Sequence, residues 1–301
     1  MQRSPARPIL RPLAWFAIGA LLTACQSGSG TTQGRAPQPS AVDELTLPAS
    51  QEPTDTTTGS VTFIGNATVL IRYAGLTILT DPTFIHKHEQ VSIGYGMHTT
   101  RLTDPAMDIR DLPPLDFILL SHFHGDHFDH VAERDLNKSL PIVTTPEAAI
   151  ALHERGFRNA SALKTWSTKT IKKGEARVRI TSMPGRHGPP VVDSLLPDVM
   201  GSMLEFRSTP DSPPFRLYIT GDTLVIDDLK ERPRRYPDIH LALLHLGGTR
   251  VLGIMVTMDA QQGVEVMQLV KPRMSIPIHY DDYDVFTSPL SDFQRAVKEG
   301  G

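Results

Sequence analysis

The chain has 301 residues, 40% hydrophobic and 21% charged, with a formal net charge of −3. This length allows one large domain or two small ones, and the composition is that of an ordinary globular protein. Scattered basic residues and a slightly negative total leave no electrostatic footprint for a nucleic-acid partner, and the lone Cys25 excludes an intrachain disulfide.

In chain order, Arg3, Arg7 and Arg11 precede the apolar run from Leu13 to Leu22. That run is far shorter than the ~20 residues a spanning helix needs, and with its basic flank it reads as a signal-peptide core. It ends in Leu22-Thr23-Ala24-Cys25, which resembles the lipobox of bacterial lipoproteins. The resemblance implies cleavage before Cys25 and lipid on its thiol. From Gln26 to about Thr58 the chain is rich in Gly, Ser, Thr, Pro and Gln, a composition that cannot bury enough apolar surface to order itself. Residues 1–24 therefore read as a signal peptide, 25–58 as a lipid-anchored flexible linker, and 59–301 as the catalytic domain. A chain so anchored belongs to the bacterial envelope. Gln26 after the cysteine resembles the pattern of sorting to the periplasmic face of the outer membrane in Gram-negative cells; otherwise the anchor lies in the outer face of the cytoplasmic membrane.

The domain opens with β-rich segments at Val61–Ile64, Thr68–Tyr73 and Leu76–Thr80, with turns at Asn66 and at Ala74-Gly75. From Phe84 to Asp108 the chain turns polar, and a long surface loop is expected, with His86, His88 and His98 near an entrance. Leu115–Leu120 reads as a strand buried on both faces. Helical patterns follow at Val131–Leu136 and at Pro146–Arg155, the latter with Thr145 as N-cap and Pro146 at N1. Strands are expected at Arg177–Ser182, Ser202–Arg207, Phe215–Thr220, His240–Leu246 and Met274–Ile278. Leu224–Lys230, Asp259–Val270 and Ser288–Lys298 read as helices. Strand-rich halves each followed by helices imply two central sheets with helices outside.

Chemistry concentrates in Ser121-His122-Phe123-His124-Gly125-Asp126-His127, directly after a buried strand. Residues i and i+2 of extended chain point the same way, so His122 and His124 can serve one metal. A sharp turn at Gly125 would swing Asp126 and His127 toward a second. Packing offers no reason for so dense a set of imidazoles and carboxylate. Further ligands must come from elsewhere, and three candidates follow strands: His187, Asp222 and His279. Each alone is as well explained as a surface or capping residue; with the main cluster they form a consistent set.

The His-x-His-x-Asp-His motif with these later stations resembles the metallo-β-lactamase superfamily. The resemblance implies an α+β fold, an αββα sandwich in which two central sheets are flanked by helices. It assigns His122, His124 and His187 to one metal, Asp126, His127 and His279 to a second, Asp222 to both, and Asp81 to a buried support of the metal loop. A donor set of imidazoles and carboxylates without thiolate suits Zn²⁺ and is compatible with Mn²⁺ or Fe. Two metals about 3.5–4 Å apart can lower the pKa of a shared water, and the hydroxide so formed would attack a phosphorus or carbonyl centre. Asp126 would orient that hydroxide while ligating. His245 would donate a proton to the leaving group, although a satisfied histidine packed near the core explains it equally well. Tyr280, Asp282 and Tyr283 either line the pocket or form a plain turn. His130, His153 and His240 read as surface or packing residues.

The stretches Phe63-Ile64-Gly65-Asn66-Ala67-Thr68 and Leu79-Thr80-Asp81-Pro82 resemble the branch containing N-acylphosphatidylethanolamine phospholipase D and the ascorbate-6-phosphate lactonase type. Asn66 departs from that pattern, which often has His, and is expected to alter the pocket rim. This branch and the anchor together imply hydrolysis of a phosphodiester, phospholipid-like, beside a membrane. The alternatives are a lactonase or other cyclic-ester hydrolase, and a non-enzymatic metal-binding envelope lipoprotein.

Overall fold

The computed structural model describes residues 43–50, 58–94 and 96–300. The signal-peptide and lipidation readings, Arg3 through Cys25, lie outside these residues. In chain order the first elements are β1 (Asp43–Leu47), β2 (Gly59–Gly65), β3 (Thr68–Tyr73), β4 (Leu76–Thr80), β5 (Gln90–Ser92), β6 (His98–Thr100), β7 (Phe117–Leu119), α1 (His130–Asp135), β8 (Ile142–Thr144), α2 (Pro146–Glu154) and β9 (Ala160–Ala162). There follow β10 (Thr168–Lys173), β11 (Ala176–Pro184), α3 (Pro190–Asp193), β12 (Met200–Arg207), β13 (Phe215–Ile219), α4 (Arg232–Arg235), β14 (Leu241–His245), β15 (Arg250–Val251), β16 (Ile254–Met255), α5 (Ala260–Val270), β17 (Met274–Ile278) and α6 (Leu290–Gly300).

The strands form two principal sheets, one ordered β2-β3-β4-β7-β8-β9 and the other β1-β10-β11-β12-β13-β14-β17. Side-chain alternation decides what each face covers. In β3, Val69 and Ile71 point into the layer between the sheets, where they meet Val178, Ile180, Leu204 and Leu217. Leu70, from the opposite face of β3, joins Leu79, Ile118, Ala132, Ala148 and Leu152 under α1 and α2. On the other side, Met203, Tyr218, Ala242 and Leu244 pack beneath Val266 and Val270 of α5 and Phe293 and Ala296 of α6. Helix, sheet, sheet, helix is the expected αββα sandwich. Among the described residues, no helix is long and apolar enough to cross a membrane.

The helices begin where the local chemistry allows. Thr145 caps α2 by accepting from Ala148 N, with Pro at the first turn, and Asp259 caps α5 by accepting from Gln262 N.

Three expectations need correction. Part of the expected linker, Asp43–Leu47, is β1, a parallel edge strand on β10. Leu45 and Leu47 pack against the inter-sheet core there, and Lys169 Nζ meets Asp43 at 2.6 Å. Two leucines and a paired charge are too sparse to stand out from a polar stretch. The segment from Phe84 to Asp108 is not simply a surface loop. It contains the hairpin β5–β6 and buries Phe84, Ile85, Val91 and Arg101. Finally, Leu224–Lys230 is not helical throughout. Leu224 N donates to Arg186 O and Val225 N to Gln262 Oε1, so only a short 3-10 turn at Asp227–Glu231 forms before α4.

Candidate metal centre

In one sheet β4 runs parallel to β7, and in the other β13, β14 and β17 run parallel to one another, which sets their C-terminal ends side by side. Such ends are where open sheets gather functional loops. Asp81 follows β4, His122 to His127 follow β7, His187 follows β11, Asp222 follows β13, and His279 follows β17 directly. All seven candidate ligands are buried: His124 is 9% exposed, Asp126 6%, and the others less.

Two triads emerge. Nitrogen atoms of His122, His124 and His187 lie within 4.8 Å of one another, as do ligand atoms of Asp126, His127 and His279. Asp222 joins them, forming a third such group with His122 and His127. His122 Nε2 stands 3.0 Å from His124 Nδ1, and His127 Nε2 stands 3.2 Å from His279 Nε2. Asp222 Oδ2 is 3.4 Å from His127 Nε2 and 3.5 Å from His279 Nε2. Lone pairs directed at one another in a buried space need a proton or a cation between them. Among the described residues, nothing hydrogen-bonds the buried Asp126 Oδ1 or Asp222 Oδ1. Orphaned carboxylate oxygens amid converging imidazoles are the donor set of a nitrogen–oxygen metal site, and two divalent cations fit it. The donors do not close into a separate four-ligand cage, and the cluster opens through His124 to a cleft, as an enzymatic rather than a structural metal role requires.

Around the donors lies a layer that sets their orientation. His187 Nδ1 meets Val256 O at 2.9 Å and His279 Nδ1 meets Leu246 O at 3.0 Å. Carbonyls accept only, so these partners assign the ring protons to Nδ1 and leave Nε2 free for a cation. Asp81 Oδ1 accepts from Ser121 N at 2.7 Å and from Ser121 Oγ at 2.8 Å, and stands 3.5 Å from His127 Nδ1. This is the supporting position that the family resemblance implies for Asp81. Thr257 Oγ1 donates to Asp222 Oδ2 at 3.0 Å. Nothing in the sequence gives Thr257 a role in the site. Ser121 heads the motif and was legible only by that place.

Asn66 is fully buried and does not form the pocket rim. Its Nδ2 donates to Asp126 O at 2.6 Å, while its backbone N donates to Asp282 Oδ2 at 2.6 Å. Asp282 and Tyr283 likewise lie under the site: Arg101, wholly buried, stands 3.8 Å from Asp282 and donates to Tyr283 OH at 3.3 Å. Tyr280 stacks on Phe63 at 5.9 Å. Gly125 also differs from expectation. A Cβ there would stand 2.5 Å from Ser92 O and 2.9 Å from Val91 Cβ. Glycine is needed because β5 packs against the metal loop.

Burial and charge divide the titrations. Burial and the neighbouring His127 and His124 hold His122 well below the ordinary imidazole value, and burial with His187 takes His124 down to about 4. Burial opposes charge on His127 and His279 too, but Asp222 and Asp126 outweigh it and raise both. Against the cost of burial, His127 and His279 draw Asp126 down to about 2 and hold Asp222 well below the ordinary carboxylate value. In the metal-free chain the two carboxylates thus favour the protonated forms of His127 and His279.

A cleft of about 840 Å³ reaches the cluster at His124, between the β5–β6 hairpin, α1 and the chain after α3. His98 and His130 line it, whereas His86 bonds Asp104 at 3.1 Å and His88 is exposed. His153 Nε2 meets Ala160 O at 3.1 Å, and His240 Nδ1 accepts from Arg216 N at 3.1 Å. Carboxylates dominate the mouth: Glu133, Glu147, Asp193 and Asp198, against Arg155, which pairs with Glu133 at 3.2 Å. His245 is not part of the cleft. It is fully buried, with Nε2 facing Asp81 Oδ2 at 3.6 Å, so it has no path to a leaving group.

Residues 77–280 match the family model described as the beta-lactamase superfamily domain. A UPF0173 metal-dependent hydrolase from Pyrobaculum islandicum is 27% identical over 245 residues, covering 79% of this chain and 91% of its own. One from Natranaerobius thermophilus is 26% identical over 189 residues, covering 63% and 75%. Among solved structures, a possible metal-dependent hydrolase from Veillonella parvula aligns with a TM-score of 0.67 at 22% identity, over 80% of this chain and 92% of that one. An isothiocyanate hydrolase from Delia radicum gut bacteria aligns with a TM-score of 0.65 at 21% identity, over 81% and 93%. These two likenesses concern the fold. The chain belongs to the beta-lactamase superfamily and is a metal-dependent hydrolase.

Proposed function

We propose that this member of the beta-lactamase superfamily hydrolyses a phosphodiester, using two divalent cations, Zn²⁺ foremost, held by His122, His124 and His187 and by Asp126, His127 and His279, with Asp222 serving both. The observation that carries this reading is the pair of buried triads joined by one carboxylate. When bound, two such cations supply an activated water at neutral pH and stabilise negative charge on the attacked group. The chain's own contribution is orientation. Asp126, with its pKa drawn to about 2, stays a carboxylate at neutral pH, so it aims a water by accepting its hydrogen bond. The carbonyls of Val256 and Leu246 hold His187 and His279 in the tautomer that keeps Nε2 open.

The mouth favours a diester over other phosphates. A dianionic monoester meets more repulsion from Glu147, Asp193 and Asp198 than a diester with one charge. The same carboxylates leave neutral substrates unpenalised, which favours a cyclic ester as the second reading. The lipobox-like Leu22-Thr23-Ala24-Cys25 supports lipidation at Cys25 and a place at the envelope, where a phospholipid-like diester would be at hand.

The test is turnover of bis-p-nitrophenyl phosphate by Zn²⁺- or Mn²⁺-loaded protein beside a panel of lactones and an isothiocyanate. Diester turnover, abolished by Asp126→Ala in a folded protein, is expected. Absence of diester turnover with either metal sinks the phosphodiester reading, and lactone turnover alone establishes the second. Labelling of the wild type but not Cys25→Ser by radioactive palmitate tests the anchor.

A further inference from the structure

His245, the last residue of β14, is a fully buried histidine that does not reach the cleft. Its ring lies parallel to that of His127, at 11° and 5.9 Å between centroids. Its Nδ1 is 3.3 Å from Thr220 Oγ1, which also accepts from the His245 amide at 2.9 Å. Its Nε2 has no hydrogen bond among the described residues and faces Asp81 Oδ2 at 3.6 Å. A nitrogen turned to a carboxylate keeps the proton, so Nδ1 accepts from the Thr220 hydroxyl and Nε2–H points at Asp81. The other Asp81 oxygen holds Ser121 and faces His127 Nδ1 at 3.5 Å. The order is therefore Thr220, His245, Asp81, His127, with the far nitrogen of His127 among Asp126, Asp222 and His279.

We propose that His245 is a positioning residue for the second metal site, acting through Asp81 to hold His127 with its Nε2 turned to the metal. With Oδ2 facing His245 and Oδ1 facing Ser121 and His127, the Asp81 carboxylate is held from both sides. Loss of such an outer partner typically costs about 10–100-fold in metal affinity. The effect should fall on the equivalent of metal that uses His127, leaving the triad of His122, His124 and His187 in place.

This inference rests on the two-metal reading, and one experiment separates their failures. The detergent-solubilised full-length protein is titrated with Zn²⁺ against a competing chelator, with zinc content measured after dialysis. The wild type should hold two equivalents; if it does not, the two-metal reading falls. Given two, His245→Leu should retain the first equivalent and bind the second about 10–100-fold more weakly. His245→Gln, whose amide can place a donor near the position of Nε2, should recover most of the loss. Unchanged binding of both equivalents by His245→Leu, or equal weakening of both, overturns the proposal. If His245→Leu does not fold, Thr220→Val carries the test by releasing the tautomer. A several-fold weaker second equivalent supports the proposal, and unchanged two-site binding overturns it.

Discussion

His279 and Asn66 come from opposite ends of the folded chain and meet backbone to backbone, His279 N donating to Asn66 O at 2.8 Å. Both have left-handed backbone, φ 59° and 52°, and Asn66 Nδ2 reaches on to Asp126 O. Two ligand loops of the second triad are thus pinned to one asparagine at the β2–β3 turn. Non-glycine residues in this region cost energy and persist where the surroundings impose them.

Asn66→Ala should therefore be more harmful than Asn66→Gly. Both lose the Nδ2 bond and leave Asp126 O unsatisfied, a cost of about 1–3 kcal/mol. Alanine adds the penalty of the left-handed backbone, roughly 1 kcal/mol, which glycine avoids. Urea unfolding of the two variants checks the order, and equal stabilities would count against backbone strain at this position.

Gly125→Ala should displace β5 or the metal loop, because the added methyl would overlap Ser92 O and Val91 Cβ. Overpacking of this kind costs typically 1–3 kcal/mol. A larger relative loss of zinc affinity than of unfolding free energy is expected, since the glycine lies between His124 and Asp126. Zinc titration beside thermal unfolding distinguishes the two effects.

Metal loading should release protons. His127 and His279 carry raised pKa values in the metal-free chain, and a cation needs their lone pairs. Net proton release on Zn²⁺ binding is expected near pH 7. Calorimetric titration in buffers of different ionisation enthalpy reads this release directly. Removal of the metal by chelation should also lower the melting temperature, by the loss of about 2.7 kcal/mol where free metal stood at a hundred times its Kd.

Acidification should destabilise the metal-free protein between pH 6.5 and about 4. His124 has a folded pKa of about 4 against an ordinary 6.5, so within this window the unfolded chain takes up a proton that the fold excludes. Stability then falls as pH falls, by up to about 1.4 kcal/mol per pH unit. His122 and His187, also lowered, act in the same sense. His127 and His279, raised instead, contribute stability that is already full below pH 6.5 and add no slope there. Asp126 remains ionised until about pH 2, so its contribution is lost later. Chemical denaturation across pH 7 to 4 should show the decline, and His124→Asn should reduce it.

The sequence by itself determined the layers of the fold and made the candidate donors legible. Period-two alternation in segments such as Arg177–Ser182, and the apolar strand before His122, are local properties of the chain, as is a cluster of imidazoles and carboxylate at a strand end. β1, β8, β9 and β10 escaped because three apolar residues, or a lysine-rich alternation such as Thr168–Lys173, become a strand only when a neighbour supplies the hydrogen bonds. Tertiary structure alone decided which atoms face one another: that Gly125 answers to β5, that Asn66 and Asp282 lie beneath the ligands, and that His245 faces Asp81 rather than the cleft. Those contacts join residues far apart in the chain, and a side chain's partner there is set by how the two sheets pack, which no local pattern encodes.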